Sequence, residues 1–252
     1  AFFPSPFDKA AVLTVDGVGE WATTTAAIGT GNQLNIDREI HFPDSLGLLY
    51  SAFTNYSGFK VNSGEYKLMG LAPYGEPRFE KKITECLVDI KNDGSFRLDQ
   101  SYFDYCGGLR MTNPKFDLLF GEKQRTPEEE ITQFHMDVAA SIQKVTETVV
   151  LRLTRDLAKR TREKNLCMAG GVALNCVANG KILKDGSFEK IWVQPAAGDA
   201  GGSLGAALAD YYINNKKERP RSTKFDKMRG SYLGPEFSRK SIKDALVSLG
   251  AI

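Results

Sequence analysis

The run Gly198-Asp199-Ala200-Gly201-Gly202-Ser203 sets one carboxylate among three glycines, just ahead of a small-residue stretch with helical character. A carboxylate there can hold a divalent metal, because hard cations prefer oxygen ligands, and the metal in turn screens phosphate oxygens. The glycines let a ligand approach the backbone. The same residues also describe a helix-capping aspartate in a flexible turn, and the local sequence leaves both readings open. Gly170-Gly171 poses a similar choice. Between a buried strand and a helix, the pair either lets unpaired N–H groups face an anion or simply allows close helix-to-strand packing. Asn175, expected one turn into that helix, has an amide able to reach a ribose or a phosphate.

Asp16-Gly17 closes an apolar run. It reads either as a hairpin turn, for which Asp-Gly is the usual pair, or as a carboxylate at a strand end. In the second case Asp16 bridges to a metal or acts as general base toward an acceptor hydroxyl. Lys67, in Glu65-Tyr66-Lys67, precedes Leu68-Met69-Gly70-Leu71-Ala72-Pro73-Tyr74-Gly75 and is expected in a loop, near phosphate oxygens or else in a surface ion pair. His41 and His135 are the only two histidines and lie in no metal-binding spacing, so a complete histidine site is absent from this chain. His135 is expected to be a partly exposed helix residue.

These residues need a framework. Residues 10–15 and 20–28 read as two strands around Asp16-Gly17, and a third strand follows at 33–40 after Gly29-Thr30-Gly31-Asn32. Leu46, Leu49, Phe53 and Tyr56 have helical spacing, with Ser45 as N-cap. Residues 77–125 read as an irregular insertion, with a small hairpin around Asn92-Asp93-Gly94. A long helix is expected from Thr126-Pro127-Glu128-Glu129, carrying Ile131, Phe134, Val138, Ile142, Val145, Val149, Leu153 and Leu157 on one stripe and ending near Arg162. Two strand–glycine turn–helix units follow, with strands at 165–169 and 191–194 and helices at 172–183 and 203–213. The order predicts an α/β fold: one ribonuclease-H-like lobe of the actin (ASKHA) type, with a mixed five-stranded sheet flanked by helices. Residues 214–252 read as a polar linker and a terminal helix at 238–249 that starts a following domain.

The bulk properties narrow the partners. With 252 residues and 42% hydrophobic content the chain can bury a substantial core. Lys and Arg total 33 against 31 Asp and Glu, which gives no broad basic field for nucleic acid, so any phosphate must be held locally. Cys86, Cys106, Cys167 and Cys176 are dispersed, without a close pair, and fit a reducing cytoplasm. No apolar run suggests a membrane span. The start at Ala1-Phe2-Phe3-Pro4, without Met, is expected of a fragment or a processed chain.

Read in order, residues 11–20, 64–75, Gly170-Gly171-Val172-Ala173-Leu174-Asn175 and 198–207 resemble the carbamoyltransferase family of the nodulation protein NodU and the cephalosporin and aminoglycoside O-carbamoyltransferases. The resemblance spans about residues 1–213, and Gly234-Pro235-Glu236-Phe237-Ser238 is similar to the family's lead-in to a second, YrdC-like domain. It implies transfer of a carbamoyl group from carbamoyl phosphate, through a carbamoyl adenylate made from ATP, to the hydroxyl of a small-molecule or sugar acceptor. It further implies that Asp199 is a ligand to a divalent metal, iron or magnesium, and that Gly170, Gly171, Asn175, Gly201 and Gly202 contact the adenylate. Asp16 and Lys67 would line the transfer site.

The family's metal site also uses an H-x-x-x-H pair ahead of the segment matching Ala1-Phe2-Phe3-Pro4-Ser5-Pro6-Phe7, and this chain holds no such pair. With that pair, the first lobe and the YrdC-like domain missing, this polypeptide alone is expected to have no carbamoyltransferase activity. The competing functions are a related tRNA threonylcarbamoyl transferase, a sugar kinase of the same superfamily, or a non-catalytic nucleotide-binding module. Gly-Asp-Ala-Gly-Gly and the 77–125 insertion fit the carbamoyltransferases better.

Overall fold

The computed structural model describes residues 1–220 and 225–251. Three strands open the chain, β1 (Lys9–Val15), β2 (Ala22–Thr30) and β3 (Gln33–His41), paired as an antiparallel meander. Two further strands, β6 (Asn165–Ala169) and β7 (Lys190–Val193), add on the other side of β1, each parallel to its neighbour. The five-stranded sheet therefore runs β3-β2-β1-β6-β7 and is mixed, as the element order predicts.

The central strand β1 is apolar on both faces because both are covered. Ala11, Leu13 and Val15 point into the main core, while Ala10 and Val12 join a second cluster with Phe2, Phe3, Cys167 and Tyr212. Helix α1 (Leu46–Tyr56), with the Ser45 hydroxyl accepting from Leu48 N at 3.0 Å, and the 29-residue α5 (Gln133–Thr161) cover the first face. On α5 the stripe residues Val138, Ile142, Val145, Val149 and Leu157 are buried.

The start of α5 departs from expectation. The Thr126–Glu129 contact does form, with Thr126 N donating to Glu129 Oε2 at 2.7 Å, but the helix begins only at Gln133. The reason lies in Arg125, a buried residue whose guanidinium binds the carbonyls of Pro127 and Glu129. In a continuing helix those carbonyls would accept from the N–H groups of Ile131 and Gln133, four residues on; here Arg125 takes them instead. The helix restarts at Thr132, where His135 rather than a glutamate completes the capping box. His135 is accordingly buried, 6% exposed, and not partly exposed as expected.

Residues 64–77 also differ. The stretch expected as a loop forms α2 (Glu65–Leu71) and a 3-10 turn, Ala72–Tyr74. The insertion carries short elements: α3 (Glu80–Lys82) running into a π turn, the hairpin β4 (Val88–Ile90) and β5 (Phe96–Leu98) around the expected Asn92-Asp93-Gly94, and α4 (Pro114–Phe120). Its Ile83, Leu87, Phe96, Phe116 and Phe120 belong to the same core cluster as β1.

After β6 the expected single helix is broken. A 3-10 turn, Gly171–Leu174, precedes α6 (Cys176–Asp185), and Asn175 stands between them as the N-cap. After β7, α7 (Ala200–Ala209) starts three residues earlier than expected and ends in a π turn. The segment read as a polar linker docks back on the sheet. Arg219 donates to the carbonyls of Phe2, Phe3, Ser5 and Phe7 at 3.1, 3.1, 2.9 and 2.8 Å, with its guanidinium 4.3 Å from the Phe2 ring centroid. Lys227 N reaches Pro4 O at 2.9 Å, and Trp192 Nε1 donates to Asp226 Oδ2 at 3.1 Å. The linker positions 221–224 lie outside the described residues. The terminal α8 (Arg239–Ser248), capped by Ser238, is exposed throughout. Among the described residues no helix is long and apolar enough to cross a membrane.

Candidate functional site

Because β1, β6 and β7 are parallel, their carboxyl ends lie at one edge of the sheet. Open α/β sheets bind ligands at that edge. The loops that leave it carry Asp16, Gly170-Gly171 and Gly198-Asp199, and hydrogen bonds stitch them together. Gly171 N donates to Asp16 Oδ1 at 3.0 Å, and Gly170 N donates to Ala197 O at 2.7 Å.

Asp16 is more than a turn residue. The connection to β2 spans residues 16–21 and is not a tight Asp-Gly hairpin. Asp16 Oδ1 accepts from Gly17 N at 2.8 Å as well as from Gly171 N, and Asp16 O accepts from the Ser45 hydroxyl at 3.0 Å. Ser45 thus ties the amino end of α1 to the loop carrying the carboxylate.

The glycines divide by what their missing side chains allow. Gly170 has φ +92°, and a Cβ there would lie 2.2 Å from Val15 O, so backbone packing alone requires glycine. At Gly201 a Cβ would meet Ala196 O at 2.1 Å. Gly171 has its N–H committed to Asp16. Gly202, by contrast, is exposed, and an added Cβ there would meet nothing within 4 Å beyond its own helix, so no packing contact among the described residues accounts for it.

Asp199 stands at the N-cap position of α7, yet its side chain makes no capping bond. It is exposed, and its carboxylate is not spent on the helix as the capping reading requires. Among the described residues no group of three or more His, Cys, Asp or Glu side chains converges to hold a metal. Asp199 can supply one oxygen ligand, but the described residues bring no complete set of donors to it.

Asn175 faces inward. It is 8% exposed, its Oδ1 accepts from Ala178 N at 3.0 Å, and its Nδ2 donates to Gln143 Oε1 at 2.9 Å. Lys67 is exposed on α2 and forms no ion pair among the described residues. The surface pair with Glu65 does not form, because Glu65 accepts from Ser51 Oγ at 2.8 Å and Asn62 N at 3.0 Å. No hydrogen bond among the described residues joins Lys67 to Asp16, Gly171 or Asp199. A hollow of about 700 Å³, lined in part by Asn55, Tyr105, Arg110 and Asp117, lies in the insertion and includes none of these residues.

Sequence reasoning passes over Ser45 as more than a cap, and over Gln143 and Asn179. Asn179 Nδ2 donates to Ala173 O at 2.7 Å and so clamps the turn after β6. Gln143 carries a faint signal: a polar residue beside the apolar stripe, one helical turn before Glu147. Cys167, within β6, is not a nucleophile in waiting, since burial pushes its thiol up to about 11.

Residues 1–208 match the family described as "Carbamoyltransferase N-terminus". The chain is 61% identical over 246 residues to the uncharacterized protein sll1178 of Synechocystis sp., covering 98% of this chain and 40% of that protein. It is 36% identical over 251 residues to the nodulation protein NolNO of Sinorhizobium fredii, covering 99% of this chain and 34% of the relative. It is also 35% identical over 242 residues to the nodulation protein NolO of Bradyrhizobium diazoefficiens, covering 95% and 41%. The chain thus spans well under half the length of these relatives. Matched along most of its length by the family's amino-terminal region, this chain belongs to the carbamoyltransferase family.

Proposed function

We propose that this chain supplies part of an ATP-dependent O-carbamoyltransferase, in which the edge formed by the β1, β6 and β7 loops binds the adenylate of a carbamoyl donor and presents it to an acceptor hydroxyl. The observation that carries the reading is the stitched edge, where Asp16 Oδ1 and Gly171 N meet at 3.0 Å. Family membership supports a transferase. The donor, carbamoyl adenylate formed from ATP and carbamoyl phosphate, follows from the resemblance described above.

In the transfer step the acceptor oxygen bonds to the carbamoyl carbon, the bond from that carbon to the adenylate phosphate oxygen breaks, and AMP leaves. The acceptor's proton must go to a base. Asp16 is the candidate, held at a strand end by bonds to Oδ1. The open backbone at Gly202 lets the nucleotide come close beside the turns that Gly170-Gly171 and Gly201 form, and Lys67 is the candidate to face carbamoyl or phosphate oxygens. Asp199 would contribute one ligand to a divalent metal, iron or magnesium, and the other donors would come from outside these residues. On this reading the 252-residue chain alone gives no turnover.

Titration calorimetry of ATP and of a non-hydrolysable carbamoyl-adenylate analogue into the full-length polypeptide, with and without divalent metal, tests the site. Asp199→Ala is expected to abolish the metal-dependent part of binding. Identical, metal-independent binding by wild type and variant removes Asp199 from its role.

A further inference from the structure

Two side-chain amides meet face to face beneath the turn that follows β6. Gln143, on α5 and 5% exposed, accepts through Oε1 from Asn175 Nδ2 at 2.9 Å and donates through Nε2 to Asn175 Oδ1 at 3.2 Å. The remaining capacity of Gln143 is also used: Oε1 accepts from Tyr50 Oη at 3.1 Å, and Nε2 donates to Glu147 Oε1 at 3.1 Å. Both donors and both acceptor positions of one amide are filled. Asn175 in turn caps α6 through Ala178 N at 3.0 Å, and its own N–H closes the 3-10 turn on Val172 O at 2.9 Å. One turn along α6, Asn179 holds Ala173 O at 2.7 Å, and Lys181 pairs with Glu147.

We propose that Gln143 is a positioning residue for the adenylate site, acting through Asn175, and that Asn175 shapes the Gly170–Leu174 turn from within rather than touching the nucleotide. The inference rests on the reading of that turn as part of the nucleotide site. Apolar residues of similar volume would join α5 to α6 as firmly, since a buried polar pair adds little net stability over them. What the filled amide pair adds is orientation. Rotating the Asn175 amide by half a turn would set donors against donors, so one orientation of the cap survives. With Oδ1 fixed on Ala178 N, the backbone from Gly170 to Leu174 has one path out of β6. The shape of that turn is thereby set before a ligand arrives, which lowers the cost of ordering it on binding.

The test uses the full-length polypeptide, with ATP as probe in titration calorimetry and hydrogen exchange read at residues 170–180. Gln143→Leu removes all four bonds and is expected to weaken ATP binding about tenfold, roughly 1.4 kcal/mol, and to speed exchange at Ala178. Glu147→Gln breaks the Lys181 pair but keeps an acceptor for Gln143. It is expected to lower the melting temperature while leaving ATP affinity within about twofold, a loss too small to count as a lost contact. In the double variant Gln143→Leu/Asn175→Ala, the two effects on affinity should not add, because the residues act as one unit. Equal loss of affinity in Gln143→Leu and Glu147→Gln, or wild-type affinity in a folded Gln143→Leu, overturns the positioning role and leaves the nucleotide reading standing. Absence of ATP binding by the wild type overturns both. Should Gln143→Leu not fold, Gln143→Asn, which withdraws the amide by one methylene, is read the same way.

Discussion

Gly171 gives its backbone N–H to Oδ1 of Asp16 at 3.0 Å, across 155 positions of sequence. This bond joins the turn after the first strand to the turn after the fourth strand of the sheet, and it turns a carboxylate at a hairpin into a group with a fixed place at the sheet's edge. Its two shares, structural and chemical, can be separated. Asp16→Asn keeps an oxygen acceptor for Gly17 and Gly171, so urea unfolding should show little change. Asp16→Ala should lose about 1 kcal/mol, the usual worth of such bonds. Both variants should lose carbamoyl transfer in the full-length enzyme. Full activity in a folded Asp16→Asn would remove Asp16 as the base.

Two glycines of the candidate site should respond in opposite ways. Gly170→Ala forces a Cβ to 2.2 Å from Val15 O at φ +92° and is expected to destabilise by about 3 kcal/mol or more. Gly202→Ala meets no atom within 4 Å and lies inside α7, so stability should hold or rise by roughly 0.5–1 kcal/mol. If Gly202 is where the nucleotide meets the backbone, that stable variant binds ATP more weakly. Thermal melts alongside calorimetry distinguish the two, and unchanged ATP affinity in Gly202→Ala removes that residue from the site.

His135 makes the start of α5 sensitive to pH. Its Nδ1 accepts from Thr132 N at 3.0 Å, which requires the neutral ring. Burial first, and then the charge of Arg125, hold the imidazole below its ordinary value. With the folded value below the unfolded one, the unfolded chain takes up the proton first. The residue's contribution is therefore complete above pH about 6.5 and is lost as the pH falls below it. Melting temperatures across pH 5–8 should show that loss in wild type. His135→Gln, which can still serve the capping box, should flatten it; an unchanged profile in the variant assigns the acid sensitivity elsewhere.

Arg219 closes the second face of the sheet. Arg219→Ala leaves the carbonyls of Phe2, Phe3, Ser5 and Phe7 without their donor and should cost about 2–3 kcal/mol in denaturant unfolding. Arg219→Lys should recover only part of it, because a single ammonium cannot span four carbonyls as a planar guanidinium does. Equal stability of all three proteins would show that the segment after α7 is not held by this residue.

Phe116 tests whether the insertion belongs to the core. It is fully buried, with its ring 5.1 Å from Phe53 of α1. Phe116→Ala should cost about 3–5 kcal/mol, as expected for a core aromatic. A loss below about 1 kcal/mol, the level of a surface change, would mark the insertion as peripheral.

Much of this architecture was legible in the residues themselves. The apolar run before Asp16, the three- and four-residue spacing after Ser45 and the stripe on α5 follow from periodicities of two and 3.6, which act locally. The paired strand–glycine–helix units fixed the mixed sheet, and the order of the motifs pointed to the family. What the sequence could not settle was decided by contacts between distant positions. Thr126-Pro127-Glu128-Glu129 carries a sound helix-start signal, yet Arg125 captures the carbonyls that a helix there would need. Asn175 has a side chain suited to a ligand, yet Gln143, on another helix, turns it inward. The stretch after α7 reads as a linker from its polarity, yet Arg219 within it bonds four backbone carbonyls, a partnership that composition cannot reveal. Local propensity chooses the element a segment forms. Where that element starts, and which way its polar groups point, depends on partners that only the folded chain brings within hydrogen-bond distance.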